Sequence, residues 1–301
     1  MTDDAAAALG GTFDLDGETT VHRLGFGTTQ LCGPDVLGPP ADEADAKRVL
    51  RRVVELGVDF VDTADSYGPG VAERLVGETL ASPGPGDDAG TNTSAAEDVV
   101  VATKTGLLRN RRGDWLKRGD PDFLRNQVLC SLDRLRTGTI DLYQLHRPDP
   151  DTPFADTVTT LAELRDDGFV RHVGLSNVTV DQLDEAREIV DVATVQNSYN
   201  VADREHEDVL RACEDAGIGF VPYYPLAAGS VDGAAARVLD EVADAHGATR
   251  LQVALAWLLH RSPVTLPIPG TSSVAHAEEN VAAASLALDD DELARLEEVD
   301  G

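Results

Sequence analysis

Three apolar, strand-like runs in this chain each end in a side chain that can carry or move a proton. Asp62 and Tyr67 lie five residues apart in Gly57-Val58-Asp59-Phe60-Val61-Asp62-Thr63-Ala64-Asp65-Ser66-Tyr67-Gly68. Lys104 follows Val99-Val100-Val101-Ala102-Thr103, and His146 follows Ile140-Asp141-Leu142-Tyr143-Gln144-Leu145. Brought together, a carboxylate, a phenol, an ammonium and an imidazole make a proton-transfer site. A phenol with a pKa of about 10 is a poor donor at neutral pH unless its anion is stabilised. A neighbouring ammonium stabilises it, and a carboxylate holds that ammonium charged and in place. Each residue also has a plainer reading: the tyrosine as a core or turn aromatic, the histidine as a hydrogen-bonded structural residue, the aspartate as a helix cap. The lysine resists that reading. The chain has three lysines (Lys47, Lys104, Lys117) among its 25 basic residues. Keeping one at the end of an apolar strand is costly unless the ammonium is paired.

The elements that must position these groups follow from the periodicity. Strand patterns fall near 24–27, 58–61, 98–103, 140–145, 171–175, 192–195, 217–221 and 264–267. Amphipathic helix patterns alternate with them over 41–56, 71–81, 121–136, 153–167, 179–190, 204–216 and 249–261, with further helices over 232–246, 273–284 and 289–299. Alternation of this kind predicts a parallel sheet with crossover helices. Eight strands close it into a (β/α)8 TIM barrel, a fold that assembles catalysis at the C-terminal ends of its strands. Asp16-Gly17 within 12–23 predicts an N-terminal hairpin that covers one barrel end. The chain reads as one domain over residues 1–301. Its Pro-, Gly-, Ser- and Asp-rich stretch 82–97 is expected to be a flexible surface insertion, on the face opposite the catalytic ends.

Composition narrows the partners. With 54 acidic against 25 basic residues the formal net charge is −29, spread along the whole chain. That disfavours nucleic acid, whose phosphates need basic patches. Acidic surface with scarce lysine and abundant small residues predicts adaptation to a salt-rich cytoplasm, where a screening length of about 3 Å in molar salt removes most self-repulsion. No apolar run is long enough to span a membrane, and the acidic start Met1-Thr2-Asp3-Asp4 is unlike a signal peptide. Cys32, Cys130 and Cys213, odd in number and widely spaced, argue for a reducing cytoplasm and against a disulfide frame or a metal site.

The segments around the four residues, with Leu24-Gly25-Phe26-Gly27-Thr28, Gly174-Leu175-Ser176-Asn177, Gln196-Asn197-Ser198-Tyr199-Asn200, Pro222-Tyr223-Tyr224-Pro225-Leu226 and Ile268-Pro269-Gly270-Thr271 to Glu279-Asn280, resemble the aldo-keto reductase superfamily. The resemblance runs in the family's order over nearly the whole chain. It implies a barrel enzyme that reduces aldehydes or ketones, sugars among them, to alcohols. Tyr67 would be the general acid in reduction and the base in oxidation. Lys104 would depress its pKa, Asp62 would pair with Lys104, and His146 would hydrogen-bond the substrate carbonyl oxygen. The four would titrate as one unit.

Such a proton needs an accompanying hydride, which implies a nicotinamide cofactor. The Gly-x-Gly-x-x-Gly fingerprint is absent, since Gly25-Phe26-Gly27 runs on into Thr28-Thr29-Gln30. By the same resemblance Gly27, Thr28 and Asp62 belong to the cofactor site, Ser176, Asn177 and Gln196 bind the carboxamide, and Tyr223 stacks on the nicotinamide. Pro225, Leu226, Ala227 and Gly229 wrap the pyrophosphate. Gly270, Thr271, Ser272, Ser273 and His276 sit by the ribose phosphate, at a helix N-terminus. Glu279 and Asn280 contact adenine. Many NADP-dependent members place a lysine and an arginine where Gly270 and His276 stand here, so NADP(H) is the favoured cofactor and NAD(H) the alternative. The loops 106–119, with Trp115, and 147–153 would wall an open substrate pocket. The competing reading is a nicotinamide-binding regulatory or channel-associated subunit with little turnover, which the superfamily also contains.

Overall fold

The computed structural model describes residues 9–81, 98–225, 231 and 233–299. The 82–97 stretch lies outside the described residues, as do Leu226, Ala227 and Gly229.

Eleven strands are formed among the described residues: β1 (Thr12–Asp14), β2 (Thr20–His22), β3 (Phe26–Gly27), β4 (Phe60–Asp62), β5 (Val100–Thr105), β6 (Leu107–Arg109), β7 (Trp115–Lys117), β8 (Ile140–Leu145), β9 (Val170–Ser176), β10 (Val192–Gln196) and β11 (Gly219–Phe220). β3, β4, β5, β8, β9, β10 and β11 form one parallel sheet in chain order. The strand expected at 264–267 is not regular. The sheet instead closes through single bridges, Phe220 with Thr265 and Gly27 with Gly270. Leu266 N donates to Phe220 O at 2.8 Å, and Gly25 N donates to Pro267 O at 3.0 Å. Pro267 and Pro269 have no amide hydrogen, so this eighth stave offers carbonyls without a continuous ladder. The result is a (β/α)8 barrel with an N-terminal hairpin and extra C-terminal helices.

The β1–β2 hairpin pairs Thr12 with His22. Its turn is held by Asp16 Oδ1, which accepts from the amides of Glu18 at 2.9 Å and Thr19 at 2.7 Å. Leu15 and Val21 then pack with Phe60, Val100, Ala102, Leu142, Val221 and Leu266. Those residues fill the barrel interior below the strand ends, so the hairpin is the barrel's apolar floor.

The crossover helices are α1 (Glu43–Glu55), α2 (Val71–Leu80), α3 (Pro121–Leu135), α4 (Phe154–Asp166), α5 (Val180–Arg187) and α6 (Glu207–Ala216). They are followed by α7 (Gly233–His246), α8 (Arg250–Arg261), α9 (Val274–Ala282) and α10 (Asp290–Glu297). α1 buries Ala46, Val49, Leu50, Val53 and Val54, the three-and-four spacing of a one-faced helix. Its start is set by Asp42, whose carboxylate accepts from the amides of Ala44 and Asp45. Thr179, Thr249 and Asp289 close full capping boxes on α5, α8 and α10. These caps fix where each helix begins, and hence where each strand-to-helix loop leaves the barrel rim.

A second element departs from expectation. The stretch 106–119, expected as a loop, carries the antiparallel β6–β7 hairpin, with Arg109 opposite Trp115. Its turn runs through Gly113 at φ +86, and Asn110 Oδ1 accepts from the amides of Arg112 and Asp114. Leu107-Leu108 and Trp115-Leu116 on either side of that turn are the sequence signal for it. No helix of the described residues is long and apolar enough to cross a membrane.

Candidate active site

The four titratable groups converge at the C-terminal rim. Lys104 Nζ donates to Asp62 Oδ2 at 2.6 Å, to Thr63 O at 2.8 Å and to the Tyr67 hydroxyl at 3.5 Å. Lys104 and Asp62 are fully enclosed, and Tyr67 and His146 keep under a tenth of their surface. Asp62 ends β4 opposite Ala102, and Lys104 sits two residues further along β5 toward the rim; Tyr67 lies in the turn after β4. The other Asp62 oxygen accepts from Gln196 Nε2 at 2.9 Å and Gln144 Nε2 at 3.2 Å. A buried ion pair is favourable only when its remaining lone pairs and protons are satisfied, and here nearly all are.

The sequence reading missed Gln144. It lies opposite Lys104 across β5 and β8 and opposite Gly174 across β8 and β9. A Cβ at Gly174 would stand 2.8 Å from Gln144 Cγ and 2.6 Å from Thr194 Oγ1, so this glycine is what leaves the amide its room.

Burial raises the Tyr67 phenol above its ordinary range, outweighing the opposing pull of Lys104. It is therefore protonated at neutral pH and available as a donor. Burial alone would push the Lys104 ammonium down, yet Asp62 and Tyr67 together hold it above its usual value. His146 is pushed well below the ordinary histidine range by burial first, with Lys104 and Arg147 adding to it, so its ring is neutral. Its Nδ1 lies 3.3 Å from Ser66 Oγ, another residue the sequence did not single out.

An aromatic wall faces these groups. The Trp115 ring stands edge-on to Tyr67 at 6.5 Å and to His146 at 6.2 Å. Arg109 lies 3.7 Å over the Trp115 ring and donates to the carbonyls of Val36 at 2.9 Å and Asp35 at 2.8 Å. The stacking holds Arg109 to its own hairpin, and the two hydrogen bonds pin that hairpin against the loop after β3. On the far side Tyr223 donates to Asn177 Oδ1 at 2.7 Å, while Asn177 Nδ2 donates to His146 O at 3.0 Å. Asn177 adopts φ 58, a left-handed conformation that asparagine tolerates.

A cavity of about 750 Å³ opens between these walls, lined among others by Tyr67, His146, Trp115, Tyr224, Arg147 and Gln30. Of the expected cofactor residues, Gly27, Asp62, Ser176, Asn177, Gln196, Tyr223, Pro225 and Gly270 line it. Thr271, Ser272, Ser273 and His276 continue from its edge, with Ser273 capping α9. Ser272 and Ser273 line a second cavity of about 670 Å³ beside Arg48, Arg51 and Arg52 of α1. Thr28, inside the rim, has its hydroxyl buried without a partner, as does the Asn280 amide nitrogen on α9. A Cβ at Gly270 would meet Gly27 O at 2.6 Å. Gly27 and Gly270 thus let the closing strands approach each other at the rim. The polar groups that line the cavity, Ser176, Asn177, Gln196 and Arg147 among them, fit an extended polar molecule.

A family model, the aldo/keto reductase family, matches residues 23–301. The chain belongs to the aldo/keto reductase family. An oxidoreductase of Schizosaccharomyces pombe is 43% identical over 292 residues, 97% of this chain and 90% of the relative. Pyridoxine 4-dehydrogenase of Escherichia coli is 41% identical over 293 residues, 95% of this chain and 97% of the relative. A crystal structure of an aldo-keto reductase from Klebsiella pneumoniae in complex with NADPH superposes with a TM-score of 0.78 at 28% identity, covering 95% of this chain and 93% of that one. As an aldo/keto reductase the chain is an oxidoreductase acting on carbonyl compounds.

Proposed function

We propose that this aldo/keto reductase interconverts a planar aromatic aldehyde of the pyridoxal kind and its alcohol, using NADP(H). The observation that carries the reading is the enclosed Asp62–Lys104–Tyr67 contact opening into a cavity walled by Trp115, Tyr223 and Tyr224. Aromatic walls favour flat rings over the hydroxylated faces of a sugar. The 41% identity to a pyridoxine dehydrogenase and the likeness to an NADPH-bound reductase support the same choice.

The nicotinamide cofactor, when bound, supplies the hydride. This chain's residues do the rest. Tyr67 gives its hydroxyl proton to the carbonyl oxygen in reduction and takes it back in oxidation. Lys104 stabilises the phenolate left behind, and Asp62 anchors the ammonium. His146, neutral, donates a hydrogen bond to the same oxygen. Tyr223 offers a ring face to the nicotinamide, and Ser176, Asn177 and Gln196 offer polar groups to its carboxamide. Gly27, Gly270 and Pro225 border the path of the phosphates. Thr28, Thr271, Ser272, Ser273 and His276 attend the ribose end, with Glu279 and Asn280 at adenine. The free cysteines Cys32, Cys130 and Cys213 fit a reducing cytoplasm.

The test is turnover of pyridoxal, simple aromatic aldehydes, ketones and aldoses with NADPH and with NADH in molar salt. The reading expects pyridoxal with NADPH to give the highest kcat/KM. Preference for an aldose would overturn the substrate class. Tight NADPH binding with no turnover of any carbonyl would favour the regulatory-subunit reading instead.

A further inference from the structure

A neutral imidazole carries its proton on one nitrogen only, and His146 can help a carbonyl oxygen only if that proton faces the substrate. In the opposite tautomer a lone pair would meet the oxygen and repel it. What selects the tautomer is the partner of the other nitrogen. Among the described residues the side-chain partner of Nδ1 is Ser66 Oγ, at 3.3 Å. Both residues are more than nine-tenths buried, so water does not compete for the contact. Nε2, across the ring from Nδ1, is left for the cavity that His146 lines. The ring's backbone oxygen is separately tied down by Asn177 Nδ2 at 3.0 Å.

The choice of a hydroxyl here has a chemical consequence. A carboxylate or carbonyl at Nδ1 could only accept, which would put the proton on Nδ1 and leave Nε2 bare. A serine hydroxyl can donate. The charged and titratable groups around the ring are Tyr67, whose ring stands 5.8 Å away, and the cations Lys104 and Arg147. None is a carboxylate that would draw a proton onto Nδ1. The acid beside Ser66 is its neighbour Asp65, which lies close enough for the Ser66 amide and hydroxyl to draw its pKa down but makes no hydrogen bond of normal geometry to either.

We propose that Ser66 is a positioning residue: its hydroxyl donates to His146 Nδ1 and so keeps the imidazole proton on Nε2, facing the carbonyl oxygen. Ser66 adjoins Tyr67 in the chain, so one short turn sets both the proton donor and the orientation of the second hydrogen bond to the same oxygen. The proposal rests on the role given to His146 above.

Nitrogen-15 NMR of the histidine-labelled wild-type protein reads the tautomer directly and needs no turnover, so it is independent of whether the proposed substrate is right. The expected spectrum shows His146 neutral with the proton on Nε2. Ser66→Ala should shift it toward a mixture of tautomers and lower kcat/KM about tenfold, the weight of one hydrogen bond, with NADPH affinity unchanged. Ser66→Thr, which keeps the hydroxyl, should restore both readings. A wild-type spectrum with the proton on Nδ1 would overturn the proposal, even if the alanine variant failed to fold. So would a Ser66→Ala protein whose tautomer and kcat/KM both match wild type.

Discussion

Asp62 and Asp65 stand three residues apart around the same turn, both buried, yet in opposite circumstances. Asp62 meets an ammonium at 2.6 Å on one oxygen and two side-chain amides on the other. Asp65 has no hydrogen-bond partner on either oxygen. Burial drives its carboxyl well above the ordinary range, with Glu73 adding to the shift and Arg134 and the adjoining Ser66 opposing it. The nearest full ion pair belongs to Glu73, which takes Arg134 at 2.6 Å and the Thr103 hydroxyl at 2.6 Å. Inside the barrel the chain spends its one enclosed lysine on Asp62. The arginine goes to Glu73, and at Asp65, without an ion pair, burial favours the protonated form. Supply of partners, more than depth of burial, separates the carboxyl in the ion pair from the carboxyl whose pKa is driven up.

The largest expected effect comes from breaking the compensated site. Lys104→Met removes the cation that stabilises the phenolate and strands Asp62, so kcat should fall by about 10²–10⁴. The melting temperature should drop as well. Steady-state kinetics across pH check this, and a pH–rate profile unchanged by the substitution would reduce Lys104 to packing.

Asp65→Asn should act on stability with the opposite sign. The folded-state pKa of Asp65 is raised above the ordinary carboxylate value of 3.8, so its contribution is fully present below that pH and is lost as pH rises toward the folded value. The asparagine variant escapes that loss. Its melting temperature should exceed wild type near pH 7, and the gap should close as pH falls toward about 4. A gap that does not vary with pH would mean that burial does not raise the Asp65 carboxyl.

The two carboxyls also mark how far the sequence could be read. Asp62, Tyr67, Lys104 and His146 are legible because each lies at or just beyond the end of an apolar strand pattern, and strand order in a barrel brings such ends together. The β6–β7 hairpin escaped notice, since its strands are three residues each and Trp115 stays partly exposed. Gln144 and Ser66 were equally silent. A glutamine in a strand or a serine in a turn gains meaning only when register shows what it faces. The eighth stave is the exception: the apolar run 264–267 carries the strand pattern, but Pro267 and, just beyond it, Pro269 deny it the ladder. Of the residues expected at the cofactor, Gly27, Asp62, Ser176 and Gln196 at strand ends share the central cavity, whereas Glu279, Asn280 and His276 belong to a helix whose approach no local pattern encodes.

Salt should separate buried from exposed charge. The enclosed Lys104–Asp62 pair is shielded from ions, whereas the −29 surface is not. Molar KCl should therefore raise the melting temperature while leaving the pH dependence of kcat unchanged. A melting temperature flat or falling from dilute buffer to molar salt would sink the salt-adaptation reading.

The smallest effect is expected at His276, exposed at the start of α9. His276→Ala should weaken NADPH binding by no more than about fivefold, the scale of an exposed phosphate contact, and NADH binding less. Equal losses for the two cofactors, measured by fluorescence quenching, would show that His276 does not read the 2′-phosphate.

The central claim is that Tyr67 carries the proton and that Lys104 and Asp62 exist to let it do so. Tyr67→Phe deletes that hydroxyl and little else. With pyridoxal as substrate its kcat should fall by about 10²–10⁴, while NADPH affinity measured by fluorescence quenching stays within about twofold of wild type. A phenylalanine variant that binds NADPH normally and reduces pyridoxal at the wild-type rate would contradict the account.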